Sequence, residues 1–130
     1  MRTSYHTAKY PTMSEPSDHT RIPISCVKTV EFVLPQEIIR IEGMENYSRV
    51  YLKDRKPLLS NNNIGFYKSY LSSMKFISCH KSHIINIDCI IRYHKEGFVE
   101  MIGNESVPIA RRKKKEFLNA VIMKSFKKTK

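Results

Sequence analysis

Three short stretches of this chain carry side chains suited to gripping a polyanion. The first is Glu45-Asn46-Tyr47-Ser48-Arg49, which sets an amide, two hydroxyls and a guanidinium in four consecutive residues. The second is His80-Lys81-Ser82, a polar island between two apolar runs with strand character, Phe76 to Cys79 and His83 to Asn86. The third is Arg111-Arg112-Lys113, placed directly after a strand-like run and before a helical one. Reading a nucleic-acid duplex needs cations for phosphates and a few firmly held donors for base edges. Arg111 has the fork that matches guanine in the major groove. Backbone N–H groups at the start of the last helix, and near Asn61-Asn62-Asn63, suit phosphate oxygens. Taken singly, each loop is better described as polar turn residues facing water.

Catalytic chemistry finds no comparable support. His80, His83 and His94 with Cys79 and Cys89 might invite a zinc reading, but structural zinc sites pair close ligands at Cys-x2-4-Cys and His-x3-5-His spacing. Cys79 and His80 are adjacent, and adjacent strand residues point to opposite faces. Only four glycines occur in the chain, too few to suggest a phosphate-cradling loop. There is no nucleophile elbow and no telling carboxylate pair. The expectation is a protein that is not an enzyme and holds neither metal nor cofactor.

The elements that must position the three stretches are mostly strands. Val30-Glu31-Phe32-Val33-Leu34 reads as a strand stopped by Pro35, Ile38 to Ile41 as a second closed by Gly43, and Arg49 to Leu52 as a third. Lys53 to Lys56 has hairpin-turn composition. Asn61-Asn62-Asn63 can cap a helix in which Ile64, Tyr67 and Leu71 fall at helical spacing, running to about Met74. Strands resume at Phe76–Cys79 and Ile87–Tyr93, then at Phe98–Met101 and Val107–Ile109, separated by turns at Lys95-Glu96-Gly97 and Gly103-Asn104. Phe117, Leu118, Val121 and Ile122 share one face of a final helix. Many short strands with turns every 8 to 12 residues argue for a mainly β domain with two accessory helices.

A chain of 130 residues has room for one domain with a real core. Its formal charge of +11 points to an anionic partner, but residues 111–130 alone hold nine basic residues and one acidic. The excess is therefore mainly C-terminal, and its simplest reading is a solvated helix face followed by a basic tail over 125–130. Residues 1 to about 25, rich in Ser, Thr, Pro and His, read as a flexible tail or linker, leaving a domain over 26–124. Three cysteines imply no disulfide framework; Cys79 and Cys89 are expected as buried thiols of a reduced, cytoplasmic protein. No stretch approaches the roughly 20 apolar residues of a membrane span, and no signal-peptide pattern opens the chain.

Taken together, Ile38-Ile39-Arg40-Ile41-Glu42-Gly43, the segment from Phe76 to Asn86, and Val107-Pro108-Ile109-Ala110-Arg111 resemble the LytTR family of bacterial DNA-binding domains. The resemblance covers residues 30 to 122. It implies an elongated multi-sheet β fold with short helices that binds DNA from loops, as the output domain of a two-component response regulator. Two of the loops would enter successive major grooves, a central one would lie at the minor groove between them, and the DNA would bend. Carried over by motif, Asn46, Ser48 and Arg49 would serve the first groove, Lys81 and Ser82 the centre, and Arg111 with Lys113 the second groove. His80 and Asn86 are expected in structural roles, His80 bonding within its loop and Asn86 bridging strand ends, with direct contact as the alternative. The chain departs from the family at His83, where an aromatic is common, and at Ala110, where serine is common. Most members also carry a receiver domain, for which 130 residues leave no room, so the chain is either a standalone regulator or an output domain cut from a longer protein.

The leading expectation is sequence-specific binding of double-stranded DNA by a bacterial transcriptional regulator, on paired direct repeats and with a second protomer on the same DNA. The rival is a protein-interaction module that modulates another regulator. Non-specific RNA binding is weaker, because it favours aromatics displayed on a sheet face, whereas most Phe and Tyr positions here read as core.

Overall fold

A computed structural model describes residues 20–72 and 74–129, with side chains described as far as residue 122. Ten strands follow in order: β1 (Ile22–Ser25), β2 (Val30–Val33), β3 (Ile38–Met44), β4 (Tyr47–Leu52), β5 (Leu58–Ser60), β6 (Phe76–His80), β7 (His83–Asn86), β8 (Ile90–His94), β9 (Phe98–Met101) and β10 (Glu105–Pro108). Helix α1 (Ile64–Tyr70) lies between β5 and β6, and α2 (Lys114–Thr129) follows β10 after a 3-10 turn at Arg111–Lys113. The strands form three antiparallel sheets: β1-β2, β10-β9-β8, and a central sheet in the order β5-β4-β3-β7-β6. The mainly β reading holds.

Alternation decides which face of the central sheet each residue joins. On β4, Ser48, Val50 and Leu52 turn inward while Tyr47, Arg49 and Tyr51 turn outward. On β7, Ile84 and Ile85 are both buried yet belong to different cores. Ile84 joins Ile22, Ile24, Val33 and Tyr67, contributed by the β1-β2 sheet and α1. Ile85 joins Val99, Met101, Val107 and Phe117, contributed by the three-stranded sheet and α2. The central sheet is thus a wall with a core on each side, which is why its inner strands read as nearly continuous apolar runs. A salt bridge crosses between sheets: Arg40 on β3, 5% exposed, pairs with Glu105 on β10 at 2.7 Å and stacks over the Tyr51 ring at 3.8 Å.

Several boundaries differ from the sequence reading. Ile22–Ser25, assigned above to the tail, is strand β1, and Ile22 and Ile24 are fully buried; the residues before 20 lie outside the described ones. Gly43 does not close β3, which pairs on to Met44. Helix α1 stops at Tyr70, capped by Leu71, rather than near Met74. Ile87–Cys89 is a 3-10 turn, because the Asn86 side chain accepts from the Asp88 N–H at 2.9 Å and bends the chain before β8 begins. The backbone of the expected basic tail continues α2 to Thr129.

Candidate nucleic-acid interface

Register brings the three polar stretches to one end of the central sheet. Met44 pairs with Tyr47, so the Glu45-Asn46 turn closes β3 and β4 at that end. His83 pairs with Glu42 and with His80, which sets the Lys81-Ser82 turn beside it, and the Gly43 N–H donates to the Ser82 carbonyl at 2.8 Å. Ser60 pairs with Ser48, delivering Asn61–Asn63 and the start of α1 to the same end. Beyond β6, the Ala110 N–H donates to the Cys79 carbonyl at 2.8 Å and the Lys113 ammonium to the Ser78 carbonyl at 3.3 Å. Arg111 therefore starts its turn against the outer edge of β6.

Each stretch is held by identifiable contacts. The first turn puts Glu45 at a φ of 60°, a left-handed conformation that costs a residue with a Cβ. Behind it, the Tyr51 hydroxyl donates to Glu42 at 3.1 Å, and its hydrogen bond with Arg49 favours the charged guanidinium. In the second, the Ser82 N–H donates to His80 Nδ1 at 3.1 Å and the Lys68 ammonium donates to the Lys81 carbonyl at 3.1 Å. Burial lowers the Lys68 pKa, and Lys113 lowers it further. His80 meets His83 edge-on at 5.2 Å between ring centroids. Burial also lowers the His83 pKa, and its Nδ1 has no hydrogen-bond partner among the described residues.

Of the residues expected to contact DNA, Asn46, Lys81 and Arg111 are exposed, while Arg49, Ser82 and Lys113 are partly so. Ser48 is not on this surface. It is fully buried on the inward face of β4, with a hydroxyl that finds no partner among the described residues. The motif placed it in the loop; the strand begins at Tyr47, two residues before the expected Arg49, and alternation turns Ser48 inward. His80 bonds within its loop as expected. Asn86 bridges strands, donating to the Ile38 carbonyl at 2.8 Å. Sequence reasoning missed Lys68, whose signal was its position one turn after Ile64, the residue that rests on Gly43.

The described residues hold no group of His, Cys, Asp or Glu side chains arranged for a metal ion. Cys79 and Cys89 are buried, and burial pushes the Cys79 thiol up to about 11, away from thiolate chemistry. No described helix is long and apolar enough to cross a membrane.

The fold is thus a multi-sheet β domain that gathers exposed cations and amides on turns at one sheet end, chemistry suited to a polyanion. Comparison gives the family: the LytTr DNA-binding domain model matches residues 28–122, and the chain belongs to that family of DNA-binding domains. Among solved structures, the fold is similar to the LytTr DNA-binding domain of a protein described as a methyl-accepting/DNA response regulator from Bacillus cereus. That match has 16% identity and a TM-score of 0.68, covering 78% of this chain and 96% of the other. No curated protein matches the chain.

Proposed function

We propose that this domain reads specific double-stranded DNA sequences as a bacterial transcriptional regulator, with the sheet-end turns as its reading surface. The observation that carries the reading is the convergence of separately encoded turns at that end, each with an exposed or half-exposed cation or amide. Asn46 and Arg49 serve one major groove, and Arg111 with Lys113 the next. Lys81 and Ser82 lie between them at the minor groove. Arg111 supplies the bidentate fork for guanine, while lysines supply phosphate contacts that orient the protein without reading sequence. Two protomers occupy paired direct repeats, and the signal arrives from a receiver domain, in the manner of a response-regulator output domain.

Selection of random duplexes on the purified protein tests this, followed by titration of enriched and scrambled sequences across salt. A recurring pair of half-sites, bound far more tightly than scrambled DNA at physiological salt, is the expected outcome. Equal affinity for every duplex with a steep common salt slope would reduce the surface to general electrostatics. It would favour a protein-interaction module instead.

A further inference from the structure

The tip of the β6–β7 hairpin is two residues long, and three of its backbone groups are held by partners outside the proposed contacting set. The Ser82 N–H donates to His80 Nδ1, the Lys81 carbonyl accepts from Lys68, and the Ser82 carbonyl accepts from the Gly43 N–H. Lys68 reaches the tip because α1 lies hard against β3: a Cβ at Gly43 would sit 3.0 Å from the Ile64 side chain. Ile64 and Lys68, four residues apart, share one face of the helix. The contacting side chains of Lys81 and Ser82 thus project from a backbone set by other residues.

We propose that His80 and Lys68 are positioning residues for DNA recognition, fixing the backbone that presents Lys81 and Ser82, and that His80 does so only as the neutral ring. This rests on the reading above, that the hairpin tip meets DNA. The His80 bond uses the lone pair of Nδ1. An imidazolium has two N–H donors and no acceptor, so a second proton turns the Ser82 contact into donor facing donor. Against the His80 ring lies His83 from β7, which in turn interacts with Glu42 and Arg40 of β3; on the backbone to either side, Lys68 from α1 bonds the carbonyl of Lys81 in the tip, and Lys113 bonds the Ser78 carbonyl.

The sign of the pH effect separates this from ordinary electrostatics. Added positive charge strengthens non-specific DNA binding. Loss of the His80 acceptor on protonation would instead weaken specific binding, so the two effects differ in sign between about pH 8 and 5, where imidazoles in general change charge.

The experiment titrates an enriched and a scrambled duplex over that range, with circular dichroism confirming the fold at each pH. Affinity for the enriched duplex is expected to fall about tenfold in acid, the scale of one hydrogen bond, while scrambled binding does not fall. His80→Asn offers a carbonyl acceptor at every pH; it should bind within a few-fold of the parent near pH 7 and lose the pH response. His80→Phe should bind weakly at all pH. Lys68→Met should lose specific affinity with an unchanged salt slope, whereas a phosphate ligand would lower the slope by about 1. In the protein alone, protection of the Ser82 amide, measured relative to intrinsic exchange at each pH, should fall in acid for the parent and not for His80→Asn.

Lys81→Ala separates the two levels. If Lys81→Ala binds like the parent, the hairpin does not meet DNA, and the reading and the proposal fall together. If it binds weakly while His80→Phe and Lys68→Met match the parent, the proposal alone is overturned. A lowered slope for Lys68→Met would make it a phosphate ligand and overturn its positioning role.

Discussion

At the scale of the residue, Arg111 and Lys113 offer the clearest contrast. Arg111 is exposed at the start of its turn. Arg111→Ala should cost about 1–3 kcal/mol with the enriched duplex and relax preference at one base pair, measured by binding a panel of single-base variants. Lys113→Ala should weaken binding to all sequences alike and flatten the salt slope. Glu45 invites the opposite kind of change. It holds a left-handed φ of 60° and adds an anion beside Asn46. Glu45→Gly should stabilise the fold by about 1 kcal/mol in urea denaturation and raise affinity for any duplex. His83 gives a pH effect on stability. Burial lowers its pKa from the ordinary 6.5, so the unfolded chain takes up the proton first. Its contribution is complete above about 6.5 and is lost as pH falls from there toward the lowered folded value. His83→Phe should remove that acid-side loss, read as the slope of melting temperature against pH, and leave the slope above neutrality unchanged. Ser48 marks the limit of reading residue types: a hydroxyl in a polar run looks like a contact until the register shows which way the strand faces it.

Elements were legible where local chemistry decides them. The Asn63 cap, whose side chain accepts from the Phe66 N–H at 3.0 Å, starts α1 where the asparagine run implied. The Gly103-Asn104 turn was equally plain, since it depends on neighbours in sequence. β1 was hidden because Pro23 and flanking polar residues disguise a four-residue strand whose stability comes from Ile22 and Ile24 packing on distant elements. Gly43 was misread for the same reason. A glycine in a strand reads as an end, but here it makes room for Ile64 while the strand continues. Gly43→Ala should therefore cost about 1–3 kcal/mol in chemical denaturation, the usual penalty for forcing extra volume into a packed contact. Because the displaced helix carries Lys68, the same variant should also lose specific DNA affinity. A deficit in stability alone would disconnect α1 from the reading surface.

At the scale of the whole molecule, the question is whether protein or DNA adapts when they meet. The turns that carry Asn46 and Lys81 are two strand spacings apart, roughly 10 Å. Successive major-groove entries on one face of straight B-DNA are about 34 Å apart. Arg111, beyond the edge of β6, and the length of the side chains close part of that gap, and the remainder must come from deformation. The protein is poorly placed to supply it. The inner strands of the central sheet pack against a core on each face, and Arg40 braces the sheet to the three-stranded one through Glu105. The duplex is the softer partner, so it should bend toward the sheet end, at a cost on the order of 1–6 kcal/mol that depends on the sequence between the contacts. Pyrimidine–purine steps in that spacer should tighten binding and a stiff A-tract should loosen it, although no side chain reads those bases. Fluorescence energy transfer between duplex ends, with affinities for matched spacer variants, measures both quantities. Shorter end-to-end distance together with spacer-dependent affinity is the expected result. A straight duplex with affinity blind to the spacer would mean that only part of the sheet end touches DNA, and the assignment of Asn46 and Arg111 to successive grooves would have to be abandoned.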